Sequence, residues 1–343
     1  GPVMATESIQ LDDIDRKAAD ALPGMVVRKD LVRMMRSSFS VPVFVVEFLL
    51  GKYCASTDPE VIEDGLEFVR NNLAEKYVRA DEREMVKARL QSQGSYEIID
   101  KVAVKFHETQ VKYWAELSNI DLDHVNVREQ DVREHERLLT GGIWAEITLG
   151  YDDDFVFKGV NRPFSITKLR PIQLSQRDIS PYLAAREGFT SDEWLDFLLR
   201  SLGLEPTHPA IKRRQKLLYI SRLIPLVERN FNLIELGPRG TGKSFVYQQI
   251  SPYAHLVSGG RTTVAQLFVN LATGQKGLVC LWDTVAFDEA AGISFRDSHG
   301  INIMKGYMED GMFSRGRDVI TADGSIVLLG NIDGDIETIS RTS

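Results

Sequence analysis

The chain has 343 residues, of which 43% are hydrophobic and 26% are charged, a composition typical of globular proteins with two or three domains. Its formal net charge of −8 excludes a protein that binds polyanions over its whole surface, so any nucleic-acid contact needs a local basic patch. No apolar run approaches the roughly 20 residues that span a bilayer, so we expect a cytoplasmic protein without membrane contact. Cys54 and Cys280 indicate neither a metal site nor a disulfide framework.

Residues 1–94 have the pattern of a helical region. The run Thr-Asp-Pro-Glu at 57–60 combines a capping side chain with a proline in the first turn, which is typical of a helix start. Apolar side chains then recur at helical spacing as far as Leu73. A further helix is predicted from Asp81 to Gln93, with Gly94 as its stop signal.

Residues 95–202 are predicted to be rich in β-strands. Apolar and polar side chains alternate before and after a short turn near 108–110, which is the signature of an antiparallel hairpin. Alternation resumes at Ile143, and more strand signals follow at Phe155 and Phe164. We therefore expect a small antiparallel unit, compatible with a barrel, followed by a helix that opens with a capping box at 190–193.

Residues 203–210 contain two prolines and a glycine and are the best candidate for a domain boundary. From 210 to 343 the patterns of strand and helix alternate, as in a parallel sheet. A long helix is predicted from about 210 to 228, followed by a strand from Asn232 to Leu236. The predicted fold class is α/β and α+β, with a helical and antiparallel-β N-terminal region before a P-loop domain.

A phosphate-binding motif follows the strand that ends at Leu236. Its residues are Gly237, Pro238, Arg239, Gly240, Thr241, Gly242, Lys243 and Ser244, which match G-x-x-x-x-G-K-[ST] at every position, and Phe245 opens the next helix. Glycines let backbone N–H groups curl around phosphate oxygens, and the helix directs its positive end at the anion. We predict ATP with Mg²⁺, where Lys243 reaches the β- and γ-phosphates and Ser244 binds the metal.

Two further strand ends supply candidate catalytic side chains. An apolar strand ends in Asp288 and Glu289, and we expect Asp288 to hold Mg²⁺ and Glu289 to activate the attacking water. The alternative is an ordinary solvated acidic pair. Asn331 follows a strand that includes Leu329 and is predicted to contact the γ-phosphate or the water, although an asparagine in a plain turn explains it equally well.

The order of P-loop, Asp-Glu strand and Asn strand resembles AAA+ ATPases, and longer runs resemble one family. The runs are SGGRTTVAQLFVN at 258–270, GLVCLWDTVAFDEAAG at 277–292, IMKGYMEDGMFSRG at 303–316, LTGGIW at 139–144 and RPF at 162–164. They closely resemble the BrxL family, the Lon-like AAA+ proteins of bacterial BREX phage-defence systems. The resemblance covers essentially the whole chain.

This resemblance implies an ATPase core similar to that of replicative minichromosome-maintenance helicases. It also implies homo-oligomeric rings, as hexamers or stacked hexamers, that bind DNA, for which we expect the double-stranded form, beside other BREX components. By this resemblance, we expect the sequence to Ser343 to stop before the family's Lon-protease-like domain and before the arginine finger that follows Asn331 in AAA+ proteins. We therefore expect an incomplete AAA+ domain that binds ATP but hydrolyses it slowly, because an arginine finger from a neighbouring subunit contributes about 10³-fold or more.

Basic side chains at two places are candidate DNA contacts. A β-hairpin is predicted over 312–325 with its turn at 322–324, and minichromosome-maintenance helicases use a hairpin here to contact DNA. The resemblance thus implies that Arg315 and Arg317 meet phosphates, with contact to a neighbouring subunit as an equal alternative. In the β-rich region the candidate contacts to the nucleic-acid backbone are Arg162, Lys168 and Arg170.

Two other functions compete with a DNA-binding ATPase. One is an ATP-driven protein unfoldase that feeds a protease, which usually carries an aromatic-glycine pore loop. The run Ser-Gly-Gly-Arg-Thr at 258–262 contains no aromatic residue, which disfavours this alternative, although Phe268 follows nearby. The other is a non-catalytic scaffold whose ring assembly is gated by ATP.

Overall fold

The structure of the chain is a computed structural model that describes residues 10–173, 178–258, 262–288 and 298–331. Contacts divide the chain into two compact units, each built from two stretches of sequence. One unit contains residues 1–71 and 174–221, and the other contains 72–173 and 222–343. The sequence predicts three consecutive domains instead. That division remains a prediction, and the two units divide the chain differently.

Helices form the first unit and connect the strands of the second. Their bounds are α1 (Asp13–Ala21), α2 (Lys29–Ser38), α3 (Val43–Tyr53), α4 (Pro59–Lys76), α5 (Arg83–Gln93), α6 (Glu129–Glu134), α7 (Ser180–Glu187), α8 (Ser191–Ser201), α9 (Arg213–Ser221), α10 (Ile224–Val227), α11 (Val264–Leu267), α12 (Leu278–Leu281) and α13 (Ser298–Asp310). The predicted stop at Gly94 is confirmed, because this residue ends α5 with a left-handed φ of 75°. In the described ranges no single helix is long and apolar enough to cross a membrane; α2 and α3, with a 120° bend between them, meet the criterion only as a pair.

The strands form a closed barrel, a parallel sheet and two hairpins. Their bounds are β1 (Ser95–His107), β2 (Lys112–Leu117), β3 (Leu122–Asn126), β4 (Ile143–Tyr151), β5 (Val156–Phe157), β6 (Val160–Asn161), β7 (Phe164–Pro171), β8 (Leu233–Gly237), β9 (Ala254–Ser258), β10 (Thr284–Asp288), β11 (Met312–Arg315), β12 (Asp318–Thr321) and β13 (Ser325–Asn331). The barrel and the parallel sheet belong to the same unit.

The barrel closes in the strand order β1-β2-β3-β7-β4. Its neighbours are antiparallel, as the alternating sequence pattern predicts, except that β3 and β7 pair in parallel where Asn126 meets Ser165. Side chains at alternate positions of the strands fill the interior, and Ile98, Val102 and Ile147 are almost fully buried. The predicted antiparallel unit is therefore a closed barrel with one parallel junction.

The sheet of the same unit has the strand order β8-β13-β10-β9, and all its neighbours run parallel. This arrangement confirms the α/β pattern of the sequence. Val285, Phe287 and Ile326 of the central strands are buried. The strand β8 lies at the edge, where the side chains of Ile234 and Leu236 are exposed.

Two local predictions are wrong. The long helix expected from about 210 to 228 is two shorter helices, because Pro225 lies in the first turn of α10 and lacks the N–H group that a continuous helix requires. The hairpin of β11 and β12 turns at Gly316, which has a left-handed φ of 62°, rather than at 322–324. The segment 322–324 instead connects β12 to β13.

The barrel packs against the parallel sheet through the segment that precedes β4. The guanidinium of Arg137 lies 5.0 Å from the ring centroids of both Tyr253 and Trp282, a favourable cation–π distance. It also donates a hydrogen bond to the carbonyl oxygen of Pro252 at 2.9 Å. One arginine of the barrel side thus contacts the segments that lead into the sheet strands β9 and β10.

Gly141, close to Arg137 in the sequence, also lies at this junction. Gly141 has a left-handed φ of 95°, and a Cβ atom there would lie 2.7 Å from the ring of His255 in β9. Trp282 donates a hydrogen bond from Nε1 to the carbonyl oxygen of Thr140 at 2.8 Å. Because Trp282 lies just before β10, the barrel is hydrogen-bonded to the base of a strand that carries a predicted catalytic residue.

Candidate nucleotide-binding site

The predicted phosphate loop lies at the carboxyl end of β8. This strand ends at Gly237, and Gly240 and Gly242 have left-handed φ angles of 76° and 73°, which glycine adopts without strain. No atom would crowd a side chain at either position, so backbone conformation rather than space favours glycine there. The predicted helix after the loop is a short π-helical turn, Val246–Ile250, that follows Phe245.

Lys243 lies inside the loop and is 8% exposed. Its Nζ donates to the carbonyl oxygens of Pro238 at 2.7 Å and Gly237 at 3.1 Å, and to Oγ1 of Thr241 at 3.3 Å. The loop therefore encloses one positive charge, which favours binding of an anion.

The predicted catalytic residues of the neighbouring strands reach the same edge of the sheet. Asn331 ends β13 and pairs in register with Gly237. Asp288 ends β10, the strand on the other side of β13, and is half-buried. Because parallel strands bring their carboxyl ends to one edge, the structure brings both residues to the P-loop side of the sheet. Glu289 lies outside the described residues.

The side chains at this edge fit Mg²⁺ and a nucleoside triphosphate. The hydroxyl of Ser244 and the carboxylate of Asp288 are oxygen ligands of the kind that Mg²⁺ binds, together with phosphate oxygens and water. Within the described ranges no three His, Cys, Asp or Glu side chains form a metal-binding group. The glycine-rich backbone supplies N–H groups for the phosphates themselves.

Sequence reasoning missed two residues beneath the loop. Arg222, just before α10, is buried, and its Nε donates to a carboxylate oxygen of Glu235 in β8 at 2.8 Å. Its terminal nitrogens lie 3.4 Å from the carbonyl oxygen of Thr241 in the loop. Glu235 was the available signal, because an acidic side chain inside an otherwise apolar strand requires a partner.

The two arginines predicted to contact DNA lie together at the turn of the β11–β12 hairpin. Arg315 is the last residue of β11 and pairs in register with Asp318. Its side chain is half-buried, and Nε donates to the carbonyl oxygen of Val269 at 3.1 Å. Arg317 lies in the turn and is exposed.

The three basic candidates on the barrel have different surroundings. Arg162 forms an ion pair with Asp123 at 3.1 Å, and Arg170 forms one with Glu146 at 3.0 Å. Lys168 is exposed on β7. Two of the three charges are thus compensated by acidic neighbours, so the barrel presents a weaker basic surface than the sequence suggests.

A P-loop at the carboxyl edge of a parallel sheet, with acidic and amide side chains at the ends of neighbouring strands, defines the class of P-loop ATPase domains. The family described as "Lon-like protease BrxL-like, ATPase domain" matches residues 164–343. The family described as "BREX system Lon protease-like protein BrxL N-terminal" matches residues 20–151. The chain belongs to the BrxL family.

Two relatives are each named Lon-like protease BrxL. The relative from Escherichia coli O9:H4 (strain HS) is 50% identical over 96% of this chain and 47% of its own length. The relative from Bacillus cereus (strain H3081.97) is 45% identical over 97% of this chain and 49% of its own length. The chain therefore spans about half the length of these curated relatives.

Solved structures show weaker similarity. A full-length MCM homolog from Methanopyrus kandleri is 15% identical, with a TM-score of 0.38, over 94% of this chain and 73% of its own. NtrX from Brucella abortus in complex with ATP is 16% identical, with a TM-score of 0.26, over 49% of this chain and 44% of its own.

Proposed function

We propose that the chain binds ATP and Mg²⁺ at the P-loop and hydrolyses ATP. The observation that carries the proposal is the common sheet edge, where Asn331 lies in register with the first glycine of the loop and Asp288 ends the next strand. The match to a family ATPase domain supports it. In this proposal Lys243 binds the β- and γ-phosphates, and Ser244 and Asp288 hold Mg²⁺, which neutralises phosphate charge when bound.

The proposal also assigns roles at the γ-phosphate. Asn331 donates a hydrogen bond to the γ-phosphate or to the attacking water and so orients the reacting groups. Glu289 accepts a proton from that water. The expectation of slow hydrolysis remains a prediction, and a turnover equal to that of a longer version of the protein would contradict it.

A fluorescent ATP analogue tests nucleotide binding. Lys243→Ala removes the charge enclosed by the loop, and hydrogen bonds to charged groups contribute about 1.5–3 kcal/mol, so we expect affinity to fall at least about tenfold. Lys305→Ala is the matched control, because Lys305 is an exposed lysine of the same unit, on α13. Equal affinity in the two variants would show that the P-loop does not bind the nucleotide.

We further propose that the protein is a cytoplasmic ATPase of a bacterial BREX phage-defence system that assembles as a ring around double-stranded DNA. The family membership supports this assignment. The hairpin turn supports a DNA contact, because Arg317 is exposed and Arg315 lies beside it. Other BREX components are proposed partners.

The salt dependence of DNA binding tests the hairpin. Each phosphate contact contributes about 0.9 to the slope of log K against log salt concentration, so Arg315→Gln with Arg317→Gln should reduce the slope by about 1.8. Arg162→Gln with Arg170→Gln is a matched double variant on the barrel, where both charges already have acidic partners, and a smaller change is expected. An unchanged slope in the hairpin variant would exclude these contacts. Molecular mass with and without DNA tests ring assembly.

A further inference from the structure

A partly buried ion pair beneath the P-loop, between Arg222 and Glu235, is not part of the phosphate-binding motif. Arg222 is 8% exposed. Its Nε lies 2.8 Å and 3.1 Å from the two carboxylate oxygens of Glu235, which belongs to β8 two residues before the loop begins. The pair thus joins the segment that precedes α10 to the strand that ends in the loop.

The same guanidinium reaches the loop itself. Its two terminal nitrogens each lie 3.4 Å from the carbonyl oxygen of Thr241. The hydroxyl of Thr241 accepts a hydrogen bond from Lys243 and donates one to the carbonyl oxygen of Pro238. Arg222 therefore contacts the one loop residue whose side chain also bonds to the P-loop lysine.

The backbone of Arg222 is held from a third direction. The hydroxyl of Tyr247, in the π-helical turn behind the loop, donates to the carbonyl oxygen of Arg222 at 3.0 Å. Tyr247 is fully buried, and burial raises the pKa of its hydroxyl, with a smaller contribution from Glu235. The phenol therefore stays protonated and keeps this donor, so Arg222 is bonded to the strand before the loop, to the loop and to the turn after it.

A buried ion pair is weak evidence for stability, because the cost of desolvating both charges offsets much of their attraction, and apolar residues of similar volume often replace such a pair without loss. An apolar pair would lack a donor directed at the loop. In a trans peptide the carbonyl and the next N–H point in opposite directions. A carbonyl of Thr241 that is held toward Arg222 consequently directs the N–H of Gly242 to the opposite side of the loop.

We propose that Arg222, held by Glu235, is a positioning residue for the nucleotide. It fixes the peptide between Thr241 and Gly242, so that the N–H of Gly242 faces the phosphates, and it does so without touching the nucleotide. This inference rests on the proposed binding of ATP at the P-loop. A purely structural ion pair would affect nucleotide affinity only through the stability of the fold.

The double variant Arg222→Met with Glu235→Leu separates the two roles. It removes both charges of the partly buried pair and keeps the volume similar, so the melting temperature should stay near that of the unchanged chain. Affinity for the fluorescent ATP analogue should instead fall about tenfold or more, which is the loss expected for a donor from a charged group. Arg222→Lys keeps a charge for Glu235 but not the planar fork, and it should also weaken binding with the fold intact.

The matched control is Arg128→Met with Asp131→Leu, which removes an ion pair with Nε–Oδ2 and Nη2–Oδ1 distances of 3.0 Å on the barrel side of the unit. This control should leave nucleotide affinity unchanged. Unchanged affinity in both Arg222 variants would overturn the positioning role. Failure of the unchanged chain to bind the analogue would instead overturn the proposed function, so the two failures are distinguishable.

Discussion

The barrel and the parallel sheet belong to one compact unit but differ in the number of neighbours that their strands have. Every strand of the barrel has a neighbour on both sides, and its apolar side chains point into one closed interior. The sheet is open, and among the described residues its edge strand β8 pairs only with β13. Each barrel strand is therefore held on both sides, whereas the strand that leads into the P-loop has one neighbouring strand and contacts Arg222 beneath it.

A pair of identical substitutions measures this difference most directly. Ile147 in β4 is 1% exposed, whereas Ile234 in β8 is 61% exposed. Ile147→Ala should lower the free energy of unfolding by about 3 kcal/mol, because it removes buried methyl groups and leaves a cavity. Ile234→Ala should change it by less than about 0.5 kcal/mol. Urea denaturation checks both, and equal losses would show that the edge strand is as well packed as the barrel.

The junction between the two regions is tested by a glycine pair. Gly141 and Gly159 both have left-handed φ angles, but only at Gly141 would a Cβ atom meet another residue, the ring of His255 at 2.7 Å. Gly141→Ala should destabilise the unit by about 2 kcal/mol, from strain together with displacement of the ring. Gly159→Ala should cost about 1 kcal/mol, from conformational strain alone. A smaller loss at Gly141 than at Gly159 would contradict tight packing at the junction.

Acid should weaken the same junction. Burial, and next the nearby charge of Lys101, lower the pKa of His255 from 6.5 to about 4. The folded state binds a proton at His255 less tightly than the unfolded state does. The stabilisation that the neutral imidazole gives the folded state is therefore complete above pH 6.5 and is lost as the pH falls toward 4. Between pH 7 and 5 the loss should be about 1.8 kcal/mol.

His255→Gln removes the titrating group and provides the comparison. Thermal unfolding at several pH values should show a flatter decline for this variant than for the unchanged chain. Burial lowers the pKa of the neighbouring Lys101. Because both proteins contain this lysine, the difference between the two curves reports on the imidazole. Parallel curves would show that His255 is protonated as readily in the folded state as in the unfolded state.

The smallest expected effect concerns one hydrogen bond between the barrel and the sheet. Trp282→Phe keeps an aromatic ring but removes the Nε1 donor to the Thr140 carbonyl oxygen, and should cost about 1 kcal/mol. Hydrogen exchange of the amides of β4 and β10 should increase together if the bond connects the two regions. Trp194→Phe, in the other unit, is the control and should leave those amides unchanged.

Much of the nucleotide site was predictable because local rules determine it. The motif from Gly237 to Ser244 specifies a strand–loop–helix turn, and the apolar strands that end in Asp288 and Asn331 must reach the same edge of a parallel sheet. The contacts of Arg222 were not predictable, because they depend on the interruption of the predicted helix between α9 and α10, which brings this residue to the loop. Glu235 signalled that a partner was needed but not which residue it was.

The same limit applies to the fold. Alternating patterns predicted the strands of the barrel, whereas its parallel β3–β7 junction depends on pairing between distant segments. The grouping of the helices also depends on distant contacts, such as the hydrogen bond from Arg200 in α8 to Asp12 at 2.7 Å. The hairpin turn was misplaced because Ala-Asp-Gly at 322–324 and Gly316 are both good turn signals, and the pairing of β11 with β12 selects the second.

The hydrogen bonds of Lys243 have a consequence for the free energy of nucleotide binding. The loop's own oxygens compete with phosphate for the same ammonium donors, so binding in this geometry is a substitution of one set of acceptors for another. The measured affinity then reports the difference between two sets of hydrogen bonds rather than the strength of the phosphate contacts alone.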